Sequence, residues 1–202
     1  MQKKAPQKRK GQLPLLQQKY PLQYGGVLRT KAKNRGFRPL SSKESMHVVL
    51  RSSLAKKEWS FQHKRNRKRL AEFINRFSAK KGIELIKVAN VGNHFHFHVR
   101  IPNRTLYKAW IRGLSSAIAV MVAGHEGLRR IKAQAKAKLT SPKTKVSRFW
   151  DYRPFSRVVR GLRAYLSLKD YVEINELEGL GELREVAVVL VKNEKMRTLN
   201  ST

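Results

Sequence analysis

Asn93-His94-Phe95-His96-Phe97-His98-Val99-Arg100-Ile101 alternates polar and apolar residues without a break from His94 onward. Successive side chains of a strand point to opposite faces, so the stretch reads as a β-strand. One face carries His94, His96, His98 and Arg100; the other carries Phe95, Phe97, Val99 and Ile101. The aromatic face is made to pack on helices, while the polar face sets three imidazoles in a row. Two residues apart on one face, imidazoles stand about 7 Å apart at the backbone, close enough to share one metal ion. Neutral imidazole suits Mn²⁺, Zn²⁺ or Fe²⁺ better than Mg²⁺, which an incomplete site takes with water. The alternative is a half-exposed strand whose histidines only blunt a sheet face. His98 reads as structural filler or as a neighbour that tunes the site.

Outward from this strand the pattern is regular. Val91-Gly92-Asn93 is a tight turn that joins it to a strand over Ile83–Val91. Upstream, Leu70, Phe73, Ile74 and Phe77 recur at helical spacing within Trp59–Lys81, and Gly82 is a fitting stop. Met46–Ser52 is rich in β-branched residues and reads as a first strand. Downstream, Asn103 is an N-cap for a helix with an apolar stripe at Leu106, Trp110, Leu114, Ala117, Ile118 and Met121, ending at Gly124. Arg129–Leu139 reads as a short basic helix or extension, Phe149–Val159 as a strand bent at Pro154, and Leu162–Glu178 as a last clear helix. Val186–Val191 is an apolar run of ambiguous type. The order strand, helix, strand, strand, helix, strand predicts an α+β fold: a ferredoxin-like split βαβ with a central antiparallel sheet, its first and third strands adjacent in the middle. Many functions share that scaffold, so the site must decide.

Charge narrows the function. The 202 residues hold 45 Lys+Arg against 13 Asp+Glu, a net charge of +32, which points to a nucleic-acid partner. There is no Cys, which excludes thiol catalysis, cysteine zinc modules and disulfides. No apolar run is long enough to span a membrane and the basic N-terminus lacks a secretory h-region, so a soluble protein, cytoplasmic and nucleoid-associated in a bacterium, is expected. Residues 1–43 carry 12 Lys/Arg and no carboxylate, and read as a flexible basic arm that follows a phosphate backbone. Residues 44–192 read as one domain, with 124–148 a basic accessory insertion and 193–202 a tail. Only five acids lie before Asp151, too few and too scattered for a carboxylate-held two-metal nuclease. Eleven Lys/Arg between Arg129 and Arg160 are interleaved with Phe149, Trp150, Tyr152 and Phe155, a mixture suited to single-stranded DNA. At least one of Phe149 and Trp150 is expected in the core.

Within the last clear helix, Tyr171 and Asn175 stand at i and i+4 and share a face near Leu168, beside a more buried stripe of Leu162 and Val172. A phenol near pKa 10 needs a nearby cation before it attacks phosphorus. The Asn carbonyl is a hard oxygen that could complete a site begun by two imidazoles. A helix Tyr packed at the core edge is the alternative. Tyr165, six residues away, is turned off the Tyr171–Asn175 face.

Several segments, in this order, resemble the single-tyrosine transposases with a His-hydrophobic-His motif, in particular the REP-associated tyrosine transposase branch. They are Gly25-Gly26 through Arg38-Pro39-Leu40, His47-Val48-Val49-Leu50-Arg51, Asn93-His94-Phe95-His96, Phe149-Trp150 with Arg157-Val158-Val159, and Tyr171-Val172-Glu173-Ile174-Asn175. The resemblance implies a transposase-like endonuclease and strand transferase. Its tyrosine attacks single-stranded DNA near a hairpin, forming a 5′-phosphotyrosine link and freeing a 3′-OH. On that reading Tyr171 is the nucleophile, and His94, His96 and Asn175 hold Mg²⁺ or Mn²⁺. The expected DNA contacts are Arg29, Lys31, Arg35, Arg38, Arg51, Arg100, Arg148, Arg153 and Arg157. Two competing readings are a non-catalytic nucleic-acid-binding protein and a hydrolytic His-metal phosphoesterase.

Overall fold

A computed structural model of the chain describes residues 22–26, 38–137 and 148–199. The elements are β1 (Gln23–Tyr24), β2 (Ser45–Arg51), a 3₁₀ turn (Lys57–Trp59), α1 (Lys64–Lys80), β3 (Glu84–Asn90), β4 (His94–Arg100), α2 (Arg104–Ala137), β5 (Phe155–Val159), α3 (Leu162–Gly179) and α4 (Arg184–Leu199). The strands form one sheet in the order β1-β5-β2-β4-β3, antiparallel at every pairing. The expected split βαβ arrangement is therefore present: β2, the first strand of the motif, lies beside β4 at the centre. The sheet gains β1 at its edge.

The alternation of β4 separates two packed layers. Phe95, Phe97, Val99 and Ile101 join Met46, Val48, Leu50 and Val158 in a core against α1 and α2. From α1 come Leu70 and Ile74; from α2 come Tyr107, Trp110, Leu114 and Ile118, all buried. Asn103 caps α2 as expected, its Oδ1 accepting from Leu106 N at 2.8 Å. Trp110 is fully buried and its indole N–H donates to Ser78 Oγ on α1 at 2.9 Å. Trp110→Ala should cost about 3–5 kcal/mol through the cavity and the orphaned hydroxyl. A urea melt of the two proteins measures this.

The opposite face is roofed by α3. Leu168 and Val172 pack on Ala89 and Val159. Lys87 on β3 pairs with Glu173 at 3.4 Å and Glu176 at 3.8 Å. The roof sits close: a Cβ on Gly179 would meet the Asn90 carbonyl oxygen at 2.2 Å.

Several boundaries differ from the sequence reading. Gly124 (φ 69°) does interrupt the helix after Asn103, but helix resumes at once and runs to Ala137, through much of the stretch read as an insertion. The bent strand is only Phe155–Val159. The ambiguous run is helical, because Ala187 and Val191 bury against α3; α4 continues past residue 192 into the supposed tail. Within the supposed basic arm, Gln23–Tyr24 pairs with β5, and Arg38 donates to Ser156 Oγ at 2.6 Å beneath the Tyr24 ring. Arg29, Lys31 and Arg35 lie outside the described residues. No helix among the described residues is long and apolar enough to cross a membrane.

Candidate active site

The strand register assembles the site. On the face under α3, β4 presents His94, His96, His98 and Arg100. β2 presents Ser45, His47, Val49 and Arg51, with His47 opposite His98, Val49 opposite His96 and Arg51 opposite His94. β5 adds Arg157, opposite His47, and Phe155, opposite Val49. Tyr171 meets this row from above. Its ring lies edge-on to His96 at 5.3 Å and to His47 at 5.9 Å between centroids. Asn175 is buried on the same helix, its amide nitrogen donating to the Tyr171 carbonyl at 2.6 Å.

Tyr171, His94 and His96 thus meet on one face of the sheet, and Asn175 lies on the buried stripe of the helix that covers it. Leu162 does not join the buried stripe; it is exposed, and Leu168, Val172 and Asn175 form that stripe. Tyr165 also reaches the sheet, its ring 4.7 Å from that of His98. His47, not singled out from sequence, is the additional member. Its Nε2 lies 3.0 Å from His96 Nδ1, and the two rings stack at 5.3 Å. Alternation along Met46–Arg51 could have put His47, Val49 and Arg51 on one face, but nothing local says which strand they would lie beside.

The hydrogen bonds leave defined lone pairs. His94 Nδ1 donates to Asn93 Oδ1 at 2.6 Å, which leaves its Nε2 as acceptor. His96 spends Nδ1 on His47, and its buried Nε2 has no partner. Asn175 donates through its nitrogen, so its carbonyl oxygen remains an acceptor. Two imidazole nitrogens and an amide oxygen could hold one divalent cation, and the orphaned His96 Nε2 fits that use. Among the described residues no group of three His, Cys, Asp or Glu side chains is arranged for a metal. His98 is wholly buried, its Nε2 bonded to Ser45 Oγ at 2.9 Å while its Nδ1, like His96 Nε2, has no hydrogen-bond partner.

Burial keeps the row neutral. It pushes His96 down to about 3, with repulsion from His47 and His94 adding to the effect. His47 falls to about 4 through burial and then Arg157; His98 falls to about 4 through burial and then Arg100. His94 is lowered by burial and Arg51. Above about pH 6.5 these rings are neutral both folded and unfolded, so they exert no pH dependence. Between about 6.5 and 4 the unfolded chain takes up protons that the buried rings refuse, and stability falls. Urea midpoints at pH 7.5 and 5, in EDTA, should show the decline. His98→Asn, which can still bond Ser45, should make it shallower.

The other expected DNA contacts separate into two groups. Arg51, Arg100 and Arg157 frame the histidine face from three strands. Arg148 and Arg153 are exposed on the segment leading into β5. Arg38 faces the other way: its guanidinium donates to Ser156 Oγ and, at 3.4 Å, to the Tyr107 hydroxyl on the core side of the sheet. Phe149 is a core residue, as expected of one of the pair, and Trp150 is half-buried with its indole bonded to Ser115 O.

Comparison with known proteins leaves this geometry to speak for itself. No protein-family model matches the chain, and neither does any curated protein. Among solved structures it is similar to a REP-associated tyrosine transposase bound to a REP hairpin, at 12% identity over 72% of this chain and 73% of that one, with a TM-score of 0.49. It is also similar to a chain from Deinococcus radiodurans described as a candidate transposase, at 16% identity over 72% of this chain and 97% of that one, with a TM-score of 0.36. Likenesses at this level carry no conclusion about chemistry.

Proposed function

We propose that the protein is a transposase-like strand transferase that cuts and rejoins single-stranded DNA beside a hairpin through Tyr171. The observation that carries this reading is the Tyr171 ring set against His96, whose buried Nε2 has no partner. Arg51, Arg100 and Arg157 suit the approach of a phosphate backbone. The Tyr171 oxygen attacks phosphorus; the bond to the 3′ oxygen breaks, and its electron pair leaves with that oxygen. The phenol loses one proton and the 3′ oxygen gains one, giving a 5′-phosphotyrosine and a free 3′-OH. Attack by a 3′-OH reverses the step and restores the phenol, so rejoining needs no ATP. A divalent cation held by His94, His96 and Asn175 would supply charge neutralisation at the scissile phosphate. His47 holds the His96 ring in place, and Asn93 fixes the His94 tautomer.

The test is incubation with stem-loop DNA and Mn²⁺ or Mg²⁺, followed by denaturing electrophoresis. A denaturation-resistant protein–DNA species is expected. Turnover without such a species would instead indicate a hydrolytic phosphoesterase. A basic protein that only binds nucleic acid, favoured by the +32 charge, would give neither, and His94→Ala would leave its binding intact.

A further inference from the structure

We propose that the cleft between β1, β2 and β5 is a pocket for one unpaired nucleobase of a single-stranded DNA segment. Its assignment to a nucleotide beside the bond at Tyr171 rests on the function proposed above; base binding by the cleft does not. The cavity is about 500 Å³, enough for one base and part of its sugar, and Val49, Tyr152, Phe155, Arg51, Arg153 and Gly26 line it.

Its position follows from register. Val49 lies opposite His96 on one side and Phe155 on the other, and Arg51 lies opposite His94. The cleft therefore begins one strand spacing, about 4.8 Å, from the imidazole row. Phe155 also meets the His47 ring edge-on at 5.9 Å.

Its chemistry fits a flat, weakly polar group attached to an anion. Val49 and two aromatic side chains supply the wall on which a base stacks. Arg51 and Arg153 are exposed at the rim, where a backbone phosphate would lie. Asp151 steadies Arg51: its carboxylate accepts from Ser53 N and Oγ, both at 2.8 Å, and faces Arg51 Nε at 3.6 Å. That contact uses the inner nitrogen and leaves the terminal guanidinium groups for phosphate. A base stacked in duplex DNA cannot enter such a cleft; an unpaired one can.

The wall is built by close approach. Gly25 (φ +87°) runs so near β5 that a Cβ there would meet the Pro154 carbonyl oxygen at 2.1 Å, and Gly26 N donates to Arg153 O at 3.0 Å. Only glycine allows this turn to close the cleft from the β1 side.

The experiment uses the full chain carrying Tyr171→Phe, so that no bond is cut. Anisotropy measures its affinity for fluorescein-labelled dT12 and for an abasic 12-mer with the same number of phosphates. dT12 should bind about tenfold more tightly. Phe155→Ala, Tyr152→Ala and Val49→Trp, which respectively empty, open and fill the cleft, should each bring that ratio close to one while abasic binding changes less than twofold. A variant whose melting temperature drops is set aside in favour of the other two. A ratio that persists in the folded variants, or a ratio near one before any of them is introduced, overturns the proposal. Because no bond is cut, this result and that of the adduct assay succeed or fail separately.

Discussion

Tyr171→Phe should abolish the covalent protein–DNA adduct, to below about one-thousandth of the unmodified protein, with stem-loop binding kept within about twofold. The substitution removes only an oxygen. The ring contacts to His96 and His47 are edge contacts of carbon and survive the change, so the α3 roof should stay in place. Denaturing gels and anisotropy, run on the same preparation, read the two quantities. A surviving adduct would move the nucleophile elsewhere, and the structure limits where. Tyr107 is buried on the core side of the sheet beneath Arg38, and burial raises its pKa, so it is no candidate. Tyr165, against His98, would be the first to test.

The second large effect concerns the imidazole whose Nε2 lacks a partner. His96→Ala, or EDTA added to the unmodified protein, should lower adduct formation at least a hundredfold, and Mn²⁺ added back should rescue the chelated protein but not the variant. His47→Ala separates holding from contact. A cation on His96 Nε2 requires the proton on Nδ1, which must then donate to His47 Nε2. Losing that acceptor should weaken metal affinity by about 10–100-fold, and excess Mn²⁺ should restore activity. Metal titrations of adduct yield distinguish the two variants. Equal, metal-insensitive loss in both would mean that His47 does more than orient its neighbour.

How far the sequence could be read depended on whether a pattern is local. Alternation over 93–101 carries both its strand and its two faces, because burial on one side of a sheet imposes period two. Gly92 and Asn103 mark their turn and cap through contacts with near neighbours, Val91 N to His94 O and Leu106 N to Asn103 Oδ1. His47 escaped because its role depends on which strand lies beside β2, a long-range pairing that the seven residues of that strand do not specify. Tyr165 was set aside on helical angle measured from Tyr171. The sheet in fact receives the Leu168–Val172–Asn175 stripe, with Tyr171 on one flank of it and Tyr165 on the other. Val186–Val191 gave no clear period, since α4 is apolar around much of its circumference and only Ala187 and Val191 bury. Tertiary packing there overrides the β-preference of a valine run.

The pairing of Lys87 with Glu173 and Glu176 has an electrical consequence for traffic across the site. On the β3 flank of the tyrosine helix, Lys87 is already neutralised, and basic and acidic side chains along α3 and α4 balance one another, Lys195 pairing with Asp170 and Arg184 with Glu178. On the β5 flank stand Arg51, Arg153 and Arg157 with a single nearby acid, Asp151. A polyanion laid over the helix is drawn more strongly to the β5 side than to the charge-balanced β3 side, which favours entry of a strand from the former.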